Sequence, residues 1–206
     1  MTFQLPDEIL IATNNHGKFV EISDLLKSIN IKAIPTFDLD IAEPEETGLT
    51  FEENSLLKAK YYSQKTNLFS LADDSGLCIE ALNNAPGIYS ARFAKNADGK
   101  NDFNFAFQKI TAELEKLSLK TSRAHFICNL TLFDPKTEFT ISFEGRVDGQ
   151  LILPAKGNKG FGYDPIFIKD GMSQTFGEID PQLKDQISHR GDAFKKMLSW
   201  LKNPGL

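Results

Sequence analysis

Glu8-Ile9-Leu10-Ile11-Ala12-Thr13-Asn14-Asn15-His16-Gly17-Lys18-Phe19 is the stretch that sets the architecture of this chain. Its first half, with Leu10-Ile11-Ala12 at the centre, is a short apolar run and reads as a buried strand. Residues 13–18 are polar and turn-rich. Beyond them Phe19, Ile22, Leu25, Leu26 and Ile29 recur at helical spacing, which predicts an amphipathic helix over about residues 17–30. Strand, polar loop and helix in that order aim the N–H groups of a helix start at the loop. Such a start is a natural anion site.

Further along, residues 31–34 read as a second strand and residues 37–48 as an acidic loop with Glu43, Glu45 and Glu46. Thr50-Phe51-Glu52-Glu53 is a capping box that predicts a helix over residues 51–65. Residues 68–72 read as a buried strand running into Asp73-Asp74-Ser75-Gly76, and residues 77–82 as another strand. Residues 83–99 are loop-rich. Phe103, Phe107, Ile110, Leu114 and Leu117 mark a third helix. Residues 124–133 and 138–147 read as a hairpin joined by Asp134-Pro135-Lys136-Thr137. Residues 156–164 are glycine-rich, and Ile166-Phe167-Ile168 reads as a strand. Asp180-Pro181 opens a short helix, and a last one follows His189-Arg190-Gly191. No repeat or linker interrupts this, so residues 1–206 are expected to form one domain. Crossovers together with a hairpin argue for an α/β fold with a mixed sheet.

Composition narrows the function. Of 206 residues 41% are hydrophobic and 25% charged, ordinary for a soluble globular protein. No apolar run approaches the roughly 20 residues of a membrane span. No basic stretch precedes an apolar one at the N-terminus, so the cytoplasm is the expected location. The net charge of −5 and the scattered basic residues argue against a partner such as DNA or RNA. Cys78 and Cys128 lie in apolar runs without metal-ligand spacing and read as buried reduced thiols.

Four clusters could carry chemistry. Thr13, Asn14, Asn15, His16, Gly17 and Lys18 suit a triphosphate cradle, although the Walker spacing is absent; an ordinary turn with a capping Asn would use the same residues. The adjacent carboxylates Asp73 and Asp74 are costly to bring together unless a cation binds or one is protonated. They also suit a plain turn. The segment with Glu45 and Glu46 could add a metal ligand or face solvent. In Gly160-Phe161-Gly162-Tyr163-Asp164, Phe161 could stack on a base and Asp164 accept from a ring N–H; the alternative is a flexible turn. In Ser188-His189-Arg190-Gly191, two donors could face a purine O6, while adenine would leave them unpaired; the alternative is a helix entry with a solvated Arg. Lys184 could reach a phosphate or face water.

In this order the blocks resemble the inosine triphosphate pyrophosphatase family, the Ham1-like XTP/dITP diphosphatases. The likeness runs through Ala12-Thr13-Asn14-Asn15, Glu46-Thr47-Gly48-Leu49-Thr50-Phe51-Glu52-Glu53-Asn54 and Ala72-Asp73-Asp74-Ser75-Gly76-Leu77. It continues through Ala85-Pro86-Gly87-Ile88-Tyr89-Ser90-Ala91-Arg92, residues 160–167 and Ser188-His189-Arg190-Gly191. It covers nearly the whole chain. The resemblance implies an elongated mixed α/β sheet with flanking helices, in two lobes around a nucleotide cleft, and a homodimer. It implies hydrolysis of ITP, dITP and XTP to the monophosphate and pyrophosphate with magnesium, which removes them from the nucleotide pool. By resemblance Asp74 is the catalytic acidic residue and also a metal ligand, with Asp73 supporting it. Glu46 or Glu45 is the acidic metal position, with Glu46 the first choice. Residues 13–18 hold the triphosphate, Ser75 touches substrate, and residues 161–164, Lys184, His189 and Arg190 make the remaining nucleotide contacts. Two other readings stay open: a pyrophosphatase for another nucleotide such as dTTP, and a nucleotide- or RNA-binding module without turnover.

Overall fold

The computed structural model describes residues 5–202. Strand β1 (Glu8–Ala12) buries every residue after Glu8. Strand alternation sends Ile9 and Ile11 to one face, where they join Ile22 and Leu26 of α1 (His16–Lys27). Leu10 and Ala12 point the other way, into a cluster with Ala59 and Tyr62 of α2 (Phe51–Thr66). A strand covered on both faces needs an unbroken apolar run, which is what residues 9–12 supply.

β1 pairs in parallel with β2 (Lys32–Pro35) on one side and with β3 (Ser70–Ile79) on the other. Parallel neighbours require crossovers, and α1 and α2 provide them. The other elements are β4 (Ala85–Pro86), α3 (Ser90–Phe93), α4 (Phe103–Lys116), β5 (Arg123–Phe133), β6 (Thr140–Leu151), β7 (Phe167–Lys169), α5 (Pro181–Ile187) and α6 (His189–Lys202). The sheet order is β2-β1-β3-β5-β6-β7, with β4 pairing on β3. β3–β4 and β6–β7 are antiparallel, so the sheet is mixed, as the sequence led us to expect.

The chain divides into two compact units. The first takes the described residues up to Asp74, Cys128–Gly145 and the described residues from His189 onward. The second takes Ser75–Ile127 and Arg146–Ser188. The division falls within β3, β5 and β6. The first unit's larger core includes Ile9, Ile22, Leu71, Leu130, Phe143, Phe194 and Met197. The second unit's core includes Leu77, Ile110, Leu114, Phe126, Leu151 and Phe167. There Phe126 meets Phe167 edge-on with ring centroids 4.8 Å apart, a favoured aromatic geometry.

One expectation is corrected. Residues 68–82 do not form two strands around a turn. β3 runs unbroken from Ser70 to Ile79, and residues 80–82 form a 3-10 turn. Gly76 is needed for close approach rather than for turning: a Cβ there would lie 2.2 Å from the Gly87 carbonyl oxygen and 2.5 Å from Ser90 Oγ. The two carboxylates are therefore extended neighbours, and a strand sends successive side chains to opposite faces. Smaller differences are that α1 ends at Lys27, that β7 begins at Phe167, and that the loop-rich 83–99 stretch holds β4 and α3.

Candidate active site

In the first unit the polar loop is built from its own side chains. Thr13 Oγ1 accepts from the Asn15 N–H at 3.2 Å. Asn15 caps α1, its side chain accepting from the Lys18 N–H at 3.1 Å. The Thr36 hydroxyl donates to the Thr13 carbonyl at 2.7 Å and lies 3.0 Å from Asn14 Oδ1. Thr13 is buried, Asn14 and His16 are exposed, and Gly17 and Lys18 lie between. The His16 ring stacks on Phe37 at 5.6 Å. The loop thus stands at a helix start with a lysine in the first turn, the setting in which an anion is stabilised.

The adjacent carboxylates meet different fates. Asp73 is fully buried. Its Oδ1 lies 2.6 Å from Lys18 Nζ, while Oδ2 accepts from Arg190 Nε at 2.8 Å and from the Cys128 thiol at 3.0 Å. Arg190 is itself buried and also pairs with Glu21 of α1. Burial alone would raise the Asp73 carboxyl, but Arg190 and then Lys18 overcome this and hold it well below the usual carboxylate range. Burial, with Asp73 adding to it, pushes the Cys128 thiol well up, so it stays a thiol.

Asp74 is also buried, and its Oδ1 accepts from Lys58 Nζ at 2.8 Å. Lys58 Nζ donates in addition to Glu46 Oε1 at 2.7 Å. Asp74 Oδ2 is buried and accepts no hydrogen bond from the described residues. Burial, with Glu46 adding to it, raises the Asp74 carboxyl despite Lys58. Burial would depress the Lys58 ammonium, but Asp74 and Glu46 outweigh it and drive its value up. Two carboxylates on one ammonium leave the triplet with one excess negative charge. Glu45 is exposed. Among the described residues no group of three or more His, Cys, Asp or Glu is disposed to hold a metal ion. Magnesium commonly takes one or two protein carboxylates and completes its shell with waters and substrate phosphates. A buried acceptor without a donor in a net-negative cluster fits such a cation, with Asp74 and Glu46 as its protein oxygens.

The second unit holds the glycine-rich cluster. Asp164 Oδ2 accepts from the Phe161 N–H at 2.8 Å and pairs with Lys184 of α5. Asp164 and Lys184 are both buried. Lys184 Nζ lies 4.7 Å from the centre of the half-buried Phe161 ring, within cation–π range. Gly160 sits at φ 68°, and a Cβ there would be 2.2 Å from Asp164 Oδ2, so the turn closes only around glycine. Tyr163 is buried; its hydroxyl donates to the Ser90 carbonyl at 2.9 Å and its ring meets Phe103 edge-on. Ser75 is half-buried, next to Gly76 on β3.

The structure gathers Lys18, Glu46, Asp73, Asp74 and Arg190 in the first unit, and Phe161, Asp164 and Lys184 in the second. His189 opens α6 and is buried. Lys58 and Glu21 were missed in the sequence. Lys58 had a signal: Asn54, Ser55 and Lys58 form a polar stripe on α2 and are buried alongside Ala59 and Tyr62. A lysine on the inner face of a helix needs a buried anion.

A family model described as the Ham1 family matches residues 9–200. The chain belongs to the Ham1 family. A dITP/XTP pyrophosphatase of Zymomonas mobilis is 44% identical over 195 residues, spanning 94% of this chain and 91% of that protein. A dITP/XTP pyrophosphatase of Haemophilus influenzae is 42% identical over 200 residues, spanning 96% and 100%. The structure of a HAM1 protein from Coxiella burnetii superposes with a TM-score of 0.82 at 38% identity, covering 95% of this chain and 98% of that one. The Ham1 protein of Staphylococcus aureus gives 0.78 at 36% identity, covering 95% and 98%.

Proposed function

We propose that this Ham1 chain hydrolyses non-standard purine nucleoside triphosphates (ITP, dITP and XTP) to the monophosphate and pyrophosphate, clearing them from the nucleotide pool. The relatives named dITP/XTP pyrophosphatase support the substrate class. The observation that carries the chemistry is Asp74: a buried carboxylate with a raised affinity for protons and one oxygen without a donor among the described residues. A free aspartate is a poor base at about pKa 3.9; burial raises this carboxyl, and the cation that Asp74 and Glu46 would hold would do part of the activation by lowering the water pKa.

In this reading the triphosphate lies over the start of α1, held by Thr13, Asn14, Asn15, His16, Gly17 and the Lys18 ammonium. Asp74 orients a water and takes its proton as the water oxygen bonds to the α-phosphorus. The bond from that phosphorus to the bridging oxygen breaks, and pyrophosphate leaves with the electron pair. Glu46 and Asp74 would hold magnesium, with Glu45 and Asp73 beside them in sequence; when bound, the ion supplies a lower water pKa and charge neutralisation on the phosphates. Lys58 keeps the two carboxylates close together. Phe161 stacks on the base, and residues 162–164, Ser75 and Lys184 complete its surroundings. His189 and Arg190 favour a 6-keto purine. Arg190 acts in this through its fixed position between Asp73 and Glu21.

The same reading makes the protein a cytoplasmic homodimer, which light scattering on the purified chain would test. No helix among the described residues is long and apolar enough to cross a membrane. The deciding experiment measures pyrophosphate and orthophosphate release from ITP, XTP, GTP, ATP and dTTP with magnesium, with and without a chelator. Chelator-sensitive pyrophosphate release, mainly from ITP and XTP, is expected. Release mainly from dTTP overturns the base assignment, and orthophosphate release overturns the choice of bond.

A further inference from the structure

We propose that Asn54 is a positioning residue that, together with Gly48, fixes where the Glu46 carboxylate stands and so sets how tightly the site takes a divalent cation. The proposal rests on the reading of Glu46 and Asp74 as the metal-binding carboxylates.

The acidic segment has no secondary structure of its own between β2 and α2, so something must hold it. Two side chains from the first turns of α2 do so. Asn54 Oδ1 accepts from the Gly48 N–H at 2.8 Å, and Glu53 Oε2 accepts from the Leu49 N–H at 2.6 Å. Glu53 therefore reaches one residue beyond the N-cap that the capping box would have it serve, while Thr50 Oγ1 accepts from the Glu53 N–H at 3.1 Å as expected. Two successive N–H groups of the segment are thus clamped to the helix that carries Lys58.

Gly48 and Asn54 fit each other closely. A Cβ on Gly48 would lie 2.6 Å from Asn54 Oδ1, 2.7 Å from Glu53 Cβ and 2.9 Å from the Asn54 nitrogen. Any other residue at 48 must push the segment off the helix. Glu46 is two residues back along this clamped chain, and its carboxylate meets Lys58, which stands one helical turn after Asn54. One rigid helix thus holds the segment with Asn54 and receives its carboxylate with Lys58.

Asn54 is fully buried, and its Nδ2 has no hydrogen-bond partner among the described residues. A buried donor left unpaired is unfavourable. An apolar side chain would avoid that cost but could not accept from Gly48. Keeping an amide here is consistent with a demand for position rather than for stability.

The test measures manganese binding to the whole protein without substrate, by electron paramagnetic resonance, beside the magnesium dependence of pyrophosphate release. Asn54→Leu and Gly48→Ala are each expected to weaken cation binding about 10- to 100-fold, as when an outer partner of a metal ligand is lost. Excess magnesium should restore most of the maximal rate. The double variant should be little worse than either single one, because both break one contact. Unchanged manganese affinity in folded Gly48→Ala protein overturns the proposal, as do additive effects in the double variant. Gly48→Ala carries this outcome even where Asn54→Leu does not fold. If the parent protein binds manganese but releases no pyrophosphate, the functional reading fails while the metal-affinity comparison still decides the role of Asn54.

Discussion

Each unit buries an aspartate against a lysine, and the two pairs end differently. In the second unit the Asp164 carboxylate takes Lys184 and the Phe161 N–H, which ties down a glycine turn and sets an ammonium over an aromatic ring. In the first unit Lys58 serves two carboxylates, and Asp74 Oδ2 is left without a donor among the described residues. A buried pair that satisfies itself positions its neighbours. A buried cluster with surplus negative charge invites a cation. The first unit contains the contrast in miniature, since Asp73, beside Asp74, is fully engaged by Lys18, Arg190 and Cys128.

Asp74→Asn is the strongest way to break the comparison. It should lower turnover by about 100- to 10,000-fold, the range for losing a general base, while circular dichroism stays native. Near-normal turnover would remove Asp74 from the chemistry. Asp73→Asn should act on stability instead, because it leaves buried Arg190 short of a partner, at a cost of about 3–5 kcal/mol by chemical denaturation. The sign with pH follows from the depressed Asp73 carboxyl. Its contribution is present above the unfolded value of about 3.9 and lost as the pH falls through the folded value. The gap between variant and parent should therefore be full at neutral pH and close in acid; a gap constant down to acid pH would contradict the ion-pair account.

Phe161→Ala tests the second unit. Losing a stacking platform worth about 1–3 kcal/mol should raise KM for ITP about 5- to 150-fold. An unchanged KM would leave the turn a structural feature only. His189→Ala sharpens the division, because His189 belongs to the first unit yet is assigned to the base. It should erode the preference for ITP over ATP by up to about the cost of one unpaired buried donor, 1–3 kcal/mol; an unaltered preference counts against the O6 contact. The smallest effect is expected at the exposed Arg123–Asp170 pair. Arg123→Ala should leave the chemical denaturation midpoint unchanged, because solvent screens an exposed pair, and a measurable shift would show that this surface pair supports more than itself.

The sequence by itself determined a good deal. The apolar run at residues 9–12, the spacing of Ile22 and Leu26 and the capping box at Thr50 predicted β1, α1 and α2 because periodicity and caps are local properties. The order of the polar blocks predicted the family. Other features were decided only by the tertiary structure. Asp73-Asp74-Ser75-Gly76 reads as a turn until the Gly87 carbonyl and Ser90 are seen against Gly76, so an extended strand was invisible from composition. Asp73 and Asp74 are the same residue type side by side, and nothing local distinguishes them. Their proton affinities part in space: burial raises Asp74 against the pull of Lys58 on another helix, while Arg190, more than a hundred residues away in sequence, overcomes burial and holds Asp73 down. Arg190 reads as a donor to a base or as a solvated helix entry until its burial between Asp73 and Glu21 is seen. Backbone preferences travel along the chain, whereas burial and Coulomb partners are properties of space, which only folding fixes.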